Sequence, residues 1–227
     1  MSVRAVIFDA GHTLLSADYT ALTEAVCARG RDVTERQVVN AERRARVRLE
    51  TERDAQGTRA RTGAGRYLRY FLEGLGITDE GDHAALAAWR RAFNLPVGLC
   101  RVADPEAVCA LTRLREAGIV TGVISNSNGS VAAALERAGL APYLDFVIDS
   151  TVVGVAKPDP RVFYLGLAAA KVDAREACYV GDSYPVDVCG ARAVGMSAVL
   201  FDPGGAWGER DCLRAPALLA AAKLALR

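Results

Sequence analysis

In "AVIFDAGHTL" (residues 5–14) an apolar run ends in Asp9, and a turn through Ala10, Gly11 and His12 follows. A carboxylate at the end of a buried strand is costly unless it has a partner or a chemical task. The arrangement returns along the chain. "IVTGVIS" ends in Ser125 and is followed by Asn126; "ACYVG" runs into Asp182, with Asp187 five residues later. Lys157 stands in "GVAKPDP", ahead of a helix signal, where the next proline favours an extended backbone. In open α/β sheets, ligands bind outside the carboxyl ends of the strands. Three acids, a hydroxyl and a lysine at such ends and their adjoining loops form a specific pattern. The lysine carries weight because the only others are Lys171 and Lys223; arginine fills nearly every other basic position.

The elements that must position these residues follow from periodicity. Residues 3–8, with Val3, Val6 and Ile7, suit a buried parallel strand. From about Ala17 to Phe93 the pattern is helical: Val38, Ala41, Ala45 and Leu49 make one apolar stripe, and Tyr67, Tyr70, Phe71 and Leu75 another. "RDAQGTRARTGAG" (53–65) between them lacks a periodic apolar face and reads as a loop. After Pro96, strand and helix alternate. Asp104 and Pro105 open a helix that runs to "EAGIV", and Asp159 caps another that starts at Pro160. "IVTGVIS", "LDFVID", "ACYVGD" and "SAVLF" read as strands; "SVAAALERAGL", "PVDVCGARAVG" and "RAPALLAAAKLAL" read as helices. This βαβ repetition predicts an α/β fold, a doubly wound, Rossmann-like parallel sheet with a smaller all-helical cap domain. The catalytic core is expected over residues 1–15 and 95–227, and the cap over 16–94.

Composition narrows the function. A chain of 227 residues, 51% hydrophobic and 24% charged, reads as globular rather than disordered. A net charge of +1 points to neither nucleic acid nor an anionic membrane as the main partner. No apolar run approaches the ~20 residues that span a bilayer, and Asp9 comes too early for a signal peptide. The six cysteines are scattered, with no CxxC pair; they are expected to be buried thiols in a reducing cytoplasm.

Asp9, Ser125, Lys157 and Asp182 with Asp187 follow in the order of four motifs of the haloacid dehalogenase superfamily, and the chain resembles its hydrolases, of the subgroup with a helical cap after the first core strand. The motifs cover residues 1–15 and 95–205; the cap matches by position and helicity. The resemblance implies that Asp9 is a nucleophile that attacks phosphorus and forms an aspartyl-phosphate, which divides a hard displacement into two easier ones. It implies that Ser125 hydrogen-bonds a phosphoryl oxygen, that Asn126 beside it also binds substrate, and that Lys157 holds Asp9 and the phosphoryl group by point charge. Asp182 would bind Mg²⁺ with Asp187, Asp9 and the Gly11 carbonyl, since that ion takes hard oxygen ligands. Each residue has a blander reading: Asp9 as a turn former, Ser125 as a helix cap, Lys157 as a surface residue, Asp187 as an acid in a helix's first turn.

The departure is at Gly11 and His12. Phosphatases of the superfamily carry a second aspartate, an acid and base, where this chain has Gly11, and glycine where it has His12. Such a group is worth ~10²–10⁴ in rate. An imidazole suits proton transfer near neutrality, but His12 reads better as a substrate contact or bystander. Phosphonate-cleaving relatives use a cap lysine, and residues 16–95 contain none. Dehalogenating relatives also lack the second aspartate, and "ISNSNG" resembles their serine–asparagine motif. They need no metal, however, whereas this chain keeps Asp182 and Asp187, acids that would weaken Asp9 without a cation. Cap arginines (Arg43, Arg44, Arg46, Arg48) read as a solvated helix face. The expected function is a cytoplasmic, Mg²⁺-dependent phosphatase acting on a small phosphorylated metabolite. A 2-haloacid dehalogenase is the enzymatic alternative, and a weakly catalytic protein that binds a phosphorylated ligand or a partner the other.

Overall fold

The apolar run before Asp9 forms β1 (Ala5–Phe8), buried at all four residues. The structure, a computed structural model, describes residues 2–55, 64–94 and 98–226. β1 pairs in parallel with β4 (Val120–Ser125) on one side and β6 (Ala177–Gly181) on the other. Adding β5 (Phe146–Asp149), β7 (Ser197–Phe201) and β8 (Leu213–Ala215) gives six parallel strands in the order β5-β4-β1-β6-β7-β8. Connections therefore leave β1 to both sides, the arrangement that opens a crevice at the carboxyl edge of a doubly wound sheet. Helices α5 (Ala107–Glu116), α6 (Val131–Arg137), α7 (Ser150–Val153), α8 (Pro160–Ala170), α9 (Cys189–Ala193) and α10 (Leu218–Ala225) alternate with the strands. Asp159 caps α8 as expected, its carboxylate accepting from the Arg161 N–H at 3.0 Å.

The chain divides into two compact units, one of residues 1–17 and 100–227 and one of Asp18–Leu99. The second holds α1 (Tyr19–Cys27), α2 (Glu35–Ala55), α3 (Ala64–Gly74) and α4 (Glu80–Phe93). Its core joins the two expected stripes, Val38, Ala41, Ala45 and Leu49 against Tyr67 and Phe71, with Leu22, Val26, Leu68 and Leu86; Tyr70 and Leu75 pack at its margin. Glu42 is fully buried within it, accepting from Tyr19 Oη at 3.1 Å, Tyr67 Oη at 3.2 Å and Arg46 Nε at 2.9 Å. Arg46 therefore leaves the solvated face the sequence suggests: it turns inward because Glu42 lies one helical turn away.

Other expectations also change. The closing helix begins at Leu218; Leu213–Ala215 forms edge strand β8, since Pro216 biases the residue before it towards extended backbone. A second sheet, absent from the sequence reading, pairs β2 (Leu15–Ala17) antiparallel with β3 (Cys100–Ala103). The expected loop at 53–65 is partly helical, α2 running to Ala55 and α3 starting at Ala64; its residues 56–63 lie outside the described ones. No disulfide joins any of the six cysteines, but Cys178 alone is buried, while Cys27, Cys109 and Cys189 are exposed on outward helix positions. No helix among the described residues is long and apolar enough to cross a membrane.

Candidate active site

Parallel register gathers the strand-end residues. Phe8 lies opposite Val123 and Val180, so Asp9, Ser125 and Asp182 leave the sheet at the same edge. The Asp9 N–H continues the ladder by donating to the Val180 carbonyl at 2.8 Å. After β6 the chain makes a single wide turn, Tyr184–Val188, in which the Val188 N–H reaches back to the Ser183 carbonyl at 3.2 Å. Such widened turns re-aim a side chain. Here the turn carries Asp187, which is 1% exposed. The segment expected as one helix is thus this turn followed by the short α9.

Asp9, Asp182 and Asp187 are all buried, and one potential ligand oxygen from each lies within 4.8 Å of the other two. Lys157 enters the same space from the loop before α8 and is 5% exposed. Its Nζ donates to Asp9 Oδ1, Asp187 Oδ1 and Tyr179 Oη, each at 2.8 Å. An ammonium has three protons, and all three are used. Lys157 is therefore aimed at the carboxylates; towards anything else it acts by charge. Burial pushes its pKa down, but Asp187 and Asp9 outweigh that and hold it well above the usual lysine value. Burial raises the Asp187 carboxyl, opposed by the Lys157 ammonium.

Each of these residues is itself held. Asp187 Oδ2 accepts from the Ser183 N–H at 3.0 Å. It lies so close to Gly181 that a Cβ there would sit 2.4 Å from its carboxylate, which only glycine permits. The Asn126 amide binds the Lys157 backbone in both directions, Nδ2 to the carbonyl at 2.9 Å and Oδ1 from the N–H at 2.8 Å. Tyr179 Oη donates to the Ile124 carbonyl at 2.8 Å while accepting from Lys157, and burial keeps its phenol protonated.

Ser125 is buried at the end of β4. The cap of the next helix falls instead to Asp149, whose carboxylate accepts from the N–H groups of Gly129 at 3.0 Å and Val131 at 3.4 Å. Gly11 has no left-handed backbone, and a Cβ on it would meet only Cys100, at 3.6 Å from Sγ. A Cβ therefore fits at Gly11. His12 has φ of 60° and donates its N–H to the Leu15 carbonyl at 2.6 Å, a conformation that glycine adopts without strain. Tyr179, Gly181 and Asp149 were not singled out in the sequence. An aromatic in an apolar strand reads as core, a glycine before an acid as a turn, and Asp149 repeats the strand-end pattern without joining the cluster.

A doubly wound sheet with three clustered carboxylates and a buried lysine at its carboxyl edge defines an α/β protein with an acidic centre at the strand ends. Residues 3–195 match the model of the haloacid dehalogenase-like hydrolases, and the chain belongs to that family. It is 38% identical over 162 residues to the ribulose-1,5-bisphosphate 5-phosphatase of Halopiger xanaduensis, covering 69% of this chain and 65% of that one. To the phosphoserine phosphatase of Thermus thermophilus it is 40% identical over 141 residues, 60% and 54% of the two chains. The matches thus span less than two thirds of either relative. Among solved structures, a 2-haloacid dehalogenase from Pseudomonas syringae superposes with a TM-score of 0.56 at 26% identity, covering 96% of this chain and 95% of that one.

Proposed function

We propose that this hydrolase is a Mg²⁺-dependent phosphatase of the cytoplasm, acting on a small phosphorylated metabolite through an aspartyl-phosphate at Asp9, with the helical unit as its cap domain. The observation that carries the reading is the clustering of the buried Asp9, Asp182 and Asp187 carboxylates, two of which, Asp9 and Asp187, share one buried ammonium. Three carboxylates and one lysine have a formal charge of −2, and their oxygens are the hard donors that Mg²⁺ takes. Asp9, Asp182 and Asp187, with the Gly11 carbonyl, would hold the ion; once bound, it neutralises charge on the phosphoryl oxygens.

The chain's own residues supply the rest. Lys157 fixes the orientation of Asp9 through Oδ1 and lowers the cost of bringing an anion beside it. Asn126, a candidate substrate contact, also acts through Lys157 by holding that residue's backbone. Ser125 presents its hydroxyl to a phosphoryl oxygen, the capping alternative being taken by Asp149. His12 stands beside the site as a substrate contact. The departing oxygen receives no proton from residue 11, so good leaving groups are favoured. Relatives named for ribulose bisphosphate and for phosphoserine support phosphate esters as the class and leave the individual substrate to the cap.

A second reading, 2-haloacid dehalogenase, is favoured by Gly11 and by the likeness to a solved dehalogenase. Turnover of phosphorylated metabolites and of 2-haloacids, with Mg²⁺ and after exhaustive chelation, separates the two. Phosphate release that stops on chelation is expected. Chloropropionate consumption that survives chelation establishes the dehalogenase, and neither activity leaves a binding protein.

A further inference from the structure

The loop after β7 reaches back to the candidate site. Asp202 folds it: Oδ1 accepts from the Ala206 N–H at 2.9 Å and Oδ2 from the Trp207 N–H at 3.3 Å, while Arg214 of β8 lies 3.8 Å from Oδ2. The turn drives the Trp207 indole inward, to 5% exposure. Its Nε1–H donates to the main-chain carbonyl of Asp182 at 2.7 Å. The same peptide unit presents the Ser183 N–H, which binds Asp187 Oδ2 at 3.0 Å. One peptide plane is thus held at its oxygen by Trp207 and at its nitrogen by Asp187.

A strand-end peptide is otherwise free to rock, and rocking it moves the Asp182 side chain and the Asp187 carboxylate relative to each other. An indole N–H is a donor only, and a buried one left unpaired is costly. The bond therefore locks in both directions. Arg210 lies over the rings of Trp207 and Tyr184, at 5.6 and 5.4 Å, and adds to the packing of this loop.

We propose that Trp207 is a positioning residue for the cation site, setting the spacing of the Asp182 and Asp187 carboxylates through the peptide between Asp182 and Ser183. The proposal rests on the reading of those acids as metal ligands. Partners of this outer kind are worth about 10–100-fold in metal affinity.

The test is Mn²⁺ binding to the whole protein without substrate, read from the electron paramagnetic resonance signal of the free ion. Wild type is expected to bind Mn²⁺, Asp182→Asn to lose binding, and Trp207→Phe, which keeps an aromatic ring but no N–H, to bind about tenfold more weakly. The only other tryptophan is Trp89, so in Trp89→Phe the remaining indole emission is expected to change with Mn²⁺ over the same concentration range. Wild-type Mn²⁺ affinity in a folded Trp207→Phe, even with a lowered melting temperature, overturns the proposal and leaves the metal reading standing. Absence of Mn²⁺ binding in wild type overturns both. Should Trp207→Phe fail to fold, Asp202→Asn loosens the loop and keeps the indole; a smaller loss is expected, and none overturns the proposal.

Discussion

A buried lysine whose three protons are all spent on protein acceptors does its work through the neighbours it holds. At the residue scale the decisive neighbour is Asp9. Asp9→Asn keeps the shape and removes the attacking charge, so turnover is expected to fall on the order of 10³-fold or more while the fold stays intact. Trapping of the phospho-enzyme by mass spectrometry is expected in wild type and absent in the variant; full activity in a folded variant sinks the mechanism. Gly11 gives the complementary prediction. Its backbone is not left-handed and an added Cβ meets Cys100 only at ordinary contact distance, so Gly11→Asp is expected to fold. Wild type is expected to prefer p-nitrophenyl or acetyl phosphate over sugar phosphates by a wider margin than the variant, because a proton matters most to a poor leaving group. An unchanged preference in a folded variant that binds Mg²⁺ means leaving-group protonation is not limiting. His12→Ala in the same assay decides whether the imidazole contributes.

At the scale of elements, the helical unit carries charge inside its core. Glu42 serves two phenols and Arg46, and burial together with Glu42 raises both phenol pKa values, so the tyrosines remain donors. Glu42→Ala strands these groups and is expected to cost about 3–5 kcal/mol, as breaking a buried pair does; urea unfolding measures it. Asp82 ties Arg29 and Arg31 to the start of α4, at 3.1 Å from Arg29 Nε and 2.8 Å from Arg31 Nε. The Arg31 hydrogen bond, with that from Arg29, holds its carboxyl below the usual range. A depressed folded-state pKa gives stability that is present above the unfolded value of about 3.9 and lost as pH falls through the folded one. Thermal unfolding is therefore expected to lose more stability between pH 5 and strong acid (on the order of pH 2) in wild type than in Asp82→Asn. Equal slopes remove Asp82 from the account. Sequence reading reached such elements unevenly. Long periodic stripes such as Val38 to Leu49 announce their burial, whereas β2, β3 and β8 span three or four residues and exist only through distant partners. Arg46 was misplaced for the same reason, since its inward turn depends on Glu42 being buried by α1 and α3.

For the whole molecule, what was legible follows from the parallel sheet. Buried strands are unbroken apolar runs, so the point where each ends in Asp9, Ser125 or Asp182 stands out, and the topology brings those ends together. Lys157 stood out because lysine is scarce. Tyr179, Gly181 and Trp207 did not, because each acts on a group distant in sequence or through a local close approach: a lysine on another loop, a carboxylate folded back by a widened turn, a carbonyl across the sheet edge. Family membership, the matched residues 3–195 and the doubly wound sheet agree with the reading from residues alone.

Ala17 and Cys100 are direct partners across the β2–β3 pair, and just outside them the Asp18 N–H donates to the Leu99 carbonyl at 3.0 Å. Everything from Asp18 to Leu99 is thus an excursion from the tip of a hairpin. A two-residue turn suffices to join such a pair of strands, and closure entropy grows only with the logarithm of an inserted length. The sheet is consequently indifferent to what hangs there. One cassette of helices can be exchanged for another, or for a tight turn, with the strand ends that carry the acids left in register.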